Sequence, residues 1–407
     1  MSKIYISLLG GTILLISLFA PQSIYAQEGV EPTEVDELMA ADSVELEEYK
    51  NLRFSILGGP GYTPDYGFLV GGSALITFDM PGMKGFERRS VLPVAFSLSF
   101  SKSVSVSFLV RPQLFLKGDQ IRIMGDYIYS NLSSNYYGVG FTHNKSVIRD
   151  EQTTQYFYSQ VKVNPIVLFR LGTSDWFLGP MAHLQYDKLT DPAQGIIDDA
   201  DYIAVGGDAN GYSTLENGVG FALNFDSRDI PANAFGGMYF DIRGMIYGDY
   251  LGGEHNFQTF QFKYRQYVQL STQTTGRTLA WSVSSDNVFG DAPFTRLSMI
   301  GSPFDLRGYY QGQYRDNSAH IAMVEYRHKF HAQPVNFWSK LYNRLGYVVW
   351  SGVGLMGPSP FEIEGVLPNY GAGLRIEVQP RMNFRLDAGR SPLEKQTLIY
   401  FNMTEAF

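Results

Sequence analysis

The residues that could do chemistry are few. Six histidines stand at 143, 183, 255, 320, 328 and 331, and the chain has no cysteine. Histidine serves acid–base catalysis or metal ligation only at set spacings from its partners. The sequence holds no His-Glu-x-x-His run, no Gly-x-Ser-x-Gly elbow and no phosphate-binding glycine loop. Asp198, Asp199 and Asp201 crowd one segment, but without the spacing and glycine of an EF-hand. His143, His183 and His255 could sit at the outer rim, where barrel enzymes carry acid–His or Ser–His groups, so an enzyme is unsupported rather than excluded. No catalytic residue, cofactor or metal is therefore expected, and the chain does not read as an enzyme. What remains is ion pairing. Arg307 stands in the run Leu306-Arg-Gly-Tyr309, with Asp316 downstream. A guanidinium matches carboxylates bidentately, and confined without one it would cost several kcal/mol. Glu325, Glu377 and Asp387 are its candidate acceptors, and Gly308 lets the backbone turn where a β-carbon would clash.

The elements that must position these groups alternate with period two. Tyr370, Ala372, Leu374, Ile376 and Val378 share one face, while Gly373, Arg375, Glu377 and Gln379 share the other. Met382, Phe384, Leu386 and Ala388 oppose Asn383, Arg385 and Asp387. Ala322, Val324 and Tyr326 oppose Glu325, Arg327 and Lys329. In a soluble sandwich the charged face would meet water; in a membrane barrel the apolar face meets lipid and the charged face lines the lumen. Strand length and number favour the barrel. Runs between turn signals give sixteen strands, near 53–63, 66–78, 90–101, 104–117, 119–129, 153–170, 174–187, 215–225, 236–247, 256–270, 277–288, 317–330, 343–356, 369–379, 382–390 and 397–406. Long loops fall at 130–152, 188–214 and 289–316. The chain ends in Phe407, on the face of Phe401 and Met403, as a terminal aromatic closing the last strand. The fold class predicted is an all-β, 16-stranded antiparallel transmembrane outer-membrane β-barrel with a short disordered acidic tail.

Composition agrees. Tyr and Phe number 27 and 29, and Gly 42, as aromatic girdles and glycine-bearing strands require. Lys3, the apolar stretch Ile4–Ala20 and the small residue Ala26 read as a secretory signal peptide, 1–26, cut after Ala26; the apolar core is short for a membrane anchor. Nine acids and no base lie between Gln27 and Tyr49, so residues 27–52 read as an acidic periplasmic tail. From Lys50 onward 31 bases balance 31 acids. No basic face is present for nucleic acid.

Four motifs carry a resemblance. The run Gly301-Ser-Pro-Phe-Asp-Leu-Arg-Gly-Tyr-Tyr-Gln-Gly-Gln-Tyr-Arg-Asp316 comes before a strand with Val324-Glu-Tyr-Arg327. Asp226-Ser-Arg-Asp-Ile-Pro231, with Arg228 and Asp229 in the turn, is followed by Gly236-Gly-Met-Tyr-Phe240. Gly371-Ala-Gly-Leu-Arg375 and Phe384-Arg-Leu-Asp387 come near the end, and Tyr136-Tyr-Gly-Val-Gly140 earlier. In their order along the chain they resemble the Omp85 superfamily (BamA/TamA family, bacterial surface antigens), from about 136 to the C-terminus. The resemblance implies that the Arg-Gly-Tyr loop docks in the barrel at 53–407. An ordinary plugging loop whose arginine rigidifies the pore is the alternative. Two departures stand out. Trp350 occupies the strand where the family supplies an acid, which makes Glu325 the preferred partner of Arg307. Between Gln27 and Leu52 there are 26 residues, too few for a POTRA module.

The expected function is assistance of protein insertion into, or translocation across, the outer membrane through a seam between first and last strands. Gly58, Gly59, Pro60 and Gly61 weaken the first strand, and Phe407 ends the last. The expected partners are outer-membrane lipid and other outer-membrane or periplasmic assembly proteins. The alternative is a passive channel or a structural, accessory barrel.

Overall fold

The computed structural model describes residues 52–407 apart from 81–88, 101–103, 232, 273 and 380. The signal peptide and the acidic tail expected before residue 52 lie outside the described residues. The strands are β1 (Leu52–Thr63), β2 (Gly67–Phe78), β3 (Ser90–Ser99), β4 in two pieces (Ser105–Val110 and Gln113–Leu116), β5 (Ile121–Asn135), β6 (Gln155–Arg170), β7 (Trp176–Thr190) and β8 (Tyr212–Asp226). They continue as β9 (Gly237–Tyr247), β10 (Phe257–Gln269), β11 (Arg277–Gly290), β12 (Ser318–Lys329), β13 (Leu345–Gly357), β14 (Gly365–Gln379), β15 (Met382–Ser391) and β16 (Gln396–Met403). Each pairs antiparallel with its chain neighbours, and β1 meets β16, so sixteen staves close a barrel. β4 is broken at Arg111 and Pro112, since proline lacks the N–H a ladder needs. Among the described residues four short helices lie in the connections: α1 (Phe141–Ser146), α2 (Gln194–Ile197), α3 (Ala200–Ala204) and α4 (Phe337–Tyr342).

The alternation seen in the sequence becomes an inside-out protein. On β12, Val324 is 44 % exposed while its neighbour Glu325 is fully buried. Leu374, Leu386 and Phe221 also face outward, whereas Asp387 and Arg385 point into the lumen with no exposure. Cross-strand partners share a face, and register carries this pattern around the wall: Ala280, Glu325, Trp350, Gly371 and Gly389 follow one another inward on β11 to β15. No helix among the described residues is long and apolar enough to cross a membrane; the crossing elements are the strands.

Closure is uneven. β1 and β16 are joined at one register position, Tyr62 opposite Phe401, whereas the β1–β2 ladder runs for twelve positions and β15–β16 for eight. The chain end also departs from the alternation. β16 stops at Met403, Thr404 takes a left-handed φ of 65°, and Glu405, Ala406 and Phe407 turn inward and are buried. Phe407 therefore leaves the face of Phe401 and Met403. Its main-chain oxygen accepts from Arg327 (2.8 Å) and its ring lies 5.2 Å from that guanidinium. The lumen, rich in arginine, offers this tripeptide partners that lipid cannot.

An outward arginine at mid-strand would sit in hydrocarbon. Val324→Arg is expected to destabilise the barrel by about 2–4 kcal/mol, measured by equilibrium unfolding in lipid; an unchanged stability would place β12 the other way round.

Candidate functional site: a loop docked in the barrel lumen

Between β11 and β12 the chain folds back into the barrel. Ser298–Ile300 pairs with Tyr314–Asp316 as a two-stranded ribbon, and the tip between them descends along the lumen. Leu306 is fully buried among Ile300, Tyr309, Tyr314, Met323, Met356 and Leu367. A β-carbon on Gly354 would lie 2.5 Å from Leu306, so the wall is glycine where the loop leans on it. Gly308 has φ of 114°, and a β-carbon there would meet the backbone of Arg390 and Ser391 at 2.9 Å. A side chain on Gly389 would in turn strike the carbonyl of Arg307 at 2.6 Å. The loop backbone thus lies flat on β15, and two glycines permit it.

Polar groups then fasten the tip. The Gly308 N–H donates to the Tyr400 hydroxyl (2.9 Å), which donates to the Tyr309 carbonyl (3.2 Å). The Tyr309 hydroxyl donates to the Pro368 carbonyl, Asn369 Nδ2 to the Arg307 carbonyl, and Gln396 Nε2 to the Gly308 carbonyl. Backbone groups stripped of water are in this way satisfied by the wall.

Arg307 has no solvent exposure. Its Nη1 donates to Asp387 Oδ2 at 2.7 Å and its Nη2 to Glu325 Oε1. The guanidinium carbon lies 3.6 Å from the centre of the Trp350 ring. Trp350 stands where the resemblance leads one to expect an acid; here its π face meets the cation instead. The cluster extends further. Glu325 Oε2 accepts from Arg327 (2.9 Å), and Asp387 Oδ1 from Arg375 (2.6 Å). Arg375 also donates to Glu405, which accepts from Asn383, while Arg385 donates to the Pro303 carbonyl. Loop, wall and chain end are thus joined in one buried ionic network.

Of the acids singled out for Arg307, the structure brings Glu325 and Asp387 to it and not Glu377. Glu377 sits one strand-end away, on Lys329 (2.5 Å) and the Arg381 N–H. Asp316 lies in the ribbon and accepts from the Asn317 N–H. The turn residues form a separate lock at the end where the chain terminates: Arg228 on Asp226 (2.9 Å), and Asp229 on Arg381 (2.6 Å) with that arginine stacked on Phe235. Gly58, Gly59, Pro60 and Gly61 pair with Gly72, Gly71, Val70 and Leu69 of β2. His183 is not in an outer loop: it is on β7, buried, against the Tyr247 hydroxyl (2.8 Å). His143 lies beside Asp199 and Asp201, where Asp199 caps α3; Asp198 takes no part in that group.

Sequence reasoning missed a clasp at the top of β1. Gln311, next to the loop tip, donates its N–H to Asp65 (3.0 Å), and the Tyr66 hydroxyl donates to the Gln311 side chain (3.2 Å). Arg149, from the loop before β6, lies 3.7 Å from Asp65 and 4.0 Å from the Tyr310 ring centre. The β1–β2 turn is thereby fastened to the docked loop. These residues carry no alternation signal, because three separate turns supply them.

Comparison with known proteins points one way. A family model described as the Omp85 superfamily domain matches residues 92–406. No curated protein matches. Among solved structures, the barrel is similar to BamA from Haemophilus ducreyi lacking POTRA domains 1–3, at 13 % identity and TM-score 0.57, over 86 % of this chain and 70 % of that one. It is also similar to CdiB from Escherichia coli (11 %, TM-score 0.56, 87 % of this chain and 62 % of that one) and from Acinetobacter baumannii (13 %, TM-score 0.51, 88 % and 60 %).

Two outcomes follow. Arg307→Ala is expected to lower stability by about 3 kcal/mol, the low end for breaking a buried pair, because Arg327 and Arg375 still hold the two acids. Its double-mutant cycle with Asp387→Ala should show a coupling of roughly 0.5–3 kcal/mol, and simple additivity would mean the two do not interact. The clasp should respond to pH. Burial pushes the Asp65 carboxyl up to about 6, against the opposing pull of Arg149. The closed clasp then binds a proton more tightly than the open one, so closure strengthens as pH falls from 7 to 5. Amide protection, corrected for the intrinsic pH dependence of exchange, should rise at residues 65–66 and 309–313 over that range, and Asp65→Asn should abolish the rise.

Proposed function

The chain belongs to the Omp85 superfamily, and on that premise we propose that it assists the insertion of proteins into the bacterial outer membrane, or their passage across it, by opening the seam between β1 and β16. The observation that carries this reading is the single register pair, Tyr62 with Phe401, at the point where the barrel closes. An edge held by one pair leaves main-chain donors and acceptors able to accept a further strand. Gly58, Gly59, Pro60 and Gly61 make β1 the weaker partner, since glycine contributes no side-chain packing and proline donates no hydrogen bond.

In this reading the docked Leu306-Arg-Gly-Tyr309 segment is the rigid part and the seam is the moving part. The ionic network fixes β12, β14 and β15 to the loop, while the clasp through Asp65 ties the top of β1 to the same loop. Opening therefore requires release at Tyr62 and Asp65 and of the Ser55 hydroxyl from Gln379 (2.9 Å), and leaves Arg307 in place. A loop docked inside the barrel supports a lateral route for the client rather than free diffusion down the barrel axis. Outer-membrane or periplasmic assembly proteins would deliver the client to the end of the barrel where β1 begins.

The test is to lock the seam. Residues opposed in antiparallel strands sit about 4.5–5.5 Å apart, within the span of a disulfide, and the chain has no cysteine of its own. Tyr62→Cys with Phe401→Cys should cross-link on oxidation. Locked protein should remain folded but lose client insertion or translocation, and reduction should restore it. Full activity in the locked state would remove the gate and leave the structural, accessory reading.

A further inference from the structure

The connection between β12 and β13, residues 330–344, carries an apolar surface that the barrel does not cover. Its helix α4 is preformed: Asn336 accepts from the Ser339 N–H (2.8 Å), and Ser339 Oγ accepts from the Asn336 N–H (3.0 Å). This reciprocal cap satisfies two donors that a helix start leaves free. A second lock, Asn343 with Ala332, closes the base of the segment through hydrogen bonds of 2.6 and 2.9 Å. Helical spacing puts Phe337, Leu341, Trp338 and Tyr342 on one side and Ser339 and Lys340 on the other. Val335, Phe337 and Trp338 are 78, 70 and 72 % exposed, and Leu341 and Tyr342 are exposed as well. A cap and a hinge lock hold this apolar face outward, so its exposure is a built feature.

What covers it is indicated by continuity. On β12 the outward residues are Val324, Tyr326 and His328, with Phe330 just past its end, and on β13 they are Tyr347 and Val349. Tyr326 packs on Tyr347 (ring centres 6.1 Å apart), His328 stacks on Tyr347 (5.0 Å), and Phe330 stacks on Tyr342 of the helix (4.9 Å). An unbroken line of rings thus runs from the lipid-facing wall onto α4. Aromatic rings, and tryptophan above all, collect at the boundary between headgroups and acyl chains. The segment also holds Lys340 and Arg344, both exposed, and no acid between 330 and 344. A short basic amphipathic helix with Trp, Phe and Leu on one face lies in a membrane interface and favours anionic headgroups.

We infer that α4 is an interfacial foot: its Phe337–Trp338–Leu341 face inserts into the phospholipid leaflet at the end of the barrel where β1 begins, with Lys340 and Arg344 on anionic headgroups. This goes beyond the proposed gating, because it involves neither the seam nor the docked loop. It gives β12, the strand that carries Glu325, a fixed depth in the bilayer.

Spin labels at Trp338→Cys, Leu341→Cys and Lys340→Cys test it, one per otherwise complete protein, in nanodiscs of phosphatidylethanolamine containing phosphatidylglycerol. All three positions are exposed, so the fold should hold, and heat-modifiable migration checks it. The ratio of oxygen to water-soluble nickel chelate accessibility should be roughly fivefold or more higher at 338 and 341 than at 340, for an immersion of about 5–10 Å. Equal ratios at the three sites would overturn the foot. Shielding at 338 and 341 that comes with dipolar broadening growing with protein-to-lipid ratio would also overturn it, since a second copy would then be the cover. In a Lys340→Glu, Arg344→Glu background the labels at 338 and 341 should move toward water; an unchanged depth would overturn the assignment of anionic headgroups.

Discussion

A guanidinium with no access to water must carry its own counter-charges with it, and this constraint shapes the interior of the barrel. Arg307 is buried completely, and the wall supplies Glu325 from β12, Asp387 from β15 and the face of Trp350 from β13. Those acids are in turn held by Arg327 and Arg375, and Arg375 holds Glu405 from the chain end. Buried ion pairs of this kind add little net stability over an apolar core of the same shape. Their effect is geometric: only one position of the loop lets each charge find its partner. The glycines at 308 and 389 belong to the same constraint, because the arginine reaches both acids only if its backbone lies against β15.

A barrel organised this way is stiff along one arc and weak at one joint. From β11 to β16 the strands are paired over long registers and tied inward through the loop. At β1 the ladder to β16 shrinks to one position, and β1 is otherwise held by the Ser55 hydroxyl on Gln379 and by its turn through Asp65, Tyr66 and Gln311. The proposed opening of the seam rests on this contrast, since a uniformly loose barrel would lose its membrane seal and a uniformly zipped one could not open.

The sequence made the wall legible and the contacts within it only partly so. Period-two alternation is a local property, so the strand carrying Val324 and Glu325, or that carrying Leu386 and Asp387, could be read without a structure. Arg307, Glu325 and Asp387 were readable as groups that must pair, since a confined arginine limits its own choices. Three features escaped for physical reasons. Glu377 shares the inward face of its strand but stands at a different height, and alternation says nothing of height. Phe407 was read as prolonging β16, but Thr404 adopts a left-handed φ and turns the end inward. The clasp at Asp65 joins three turns far apart in sequence, and no local pattern encodes such a meeting.

The most direct measurement is amide hydrogen exchange across residues 301–313 of the barrel in a bilayer. If the loop is fixed in the lumen by Arg307, the amide of Gly308, which donates to Tyr400, should exchange as slowly as the amides of β12 and β15, opening only with them. If the 301–313 amides exchange at the rate of an unstructured surface loop while those strands stay protected, the loop is not docked and the account of the interior fails.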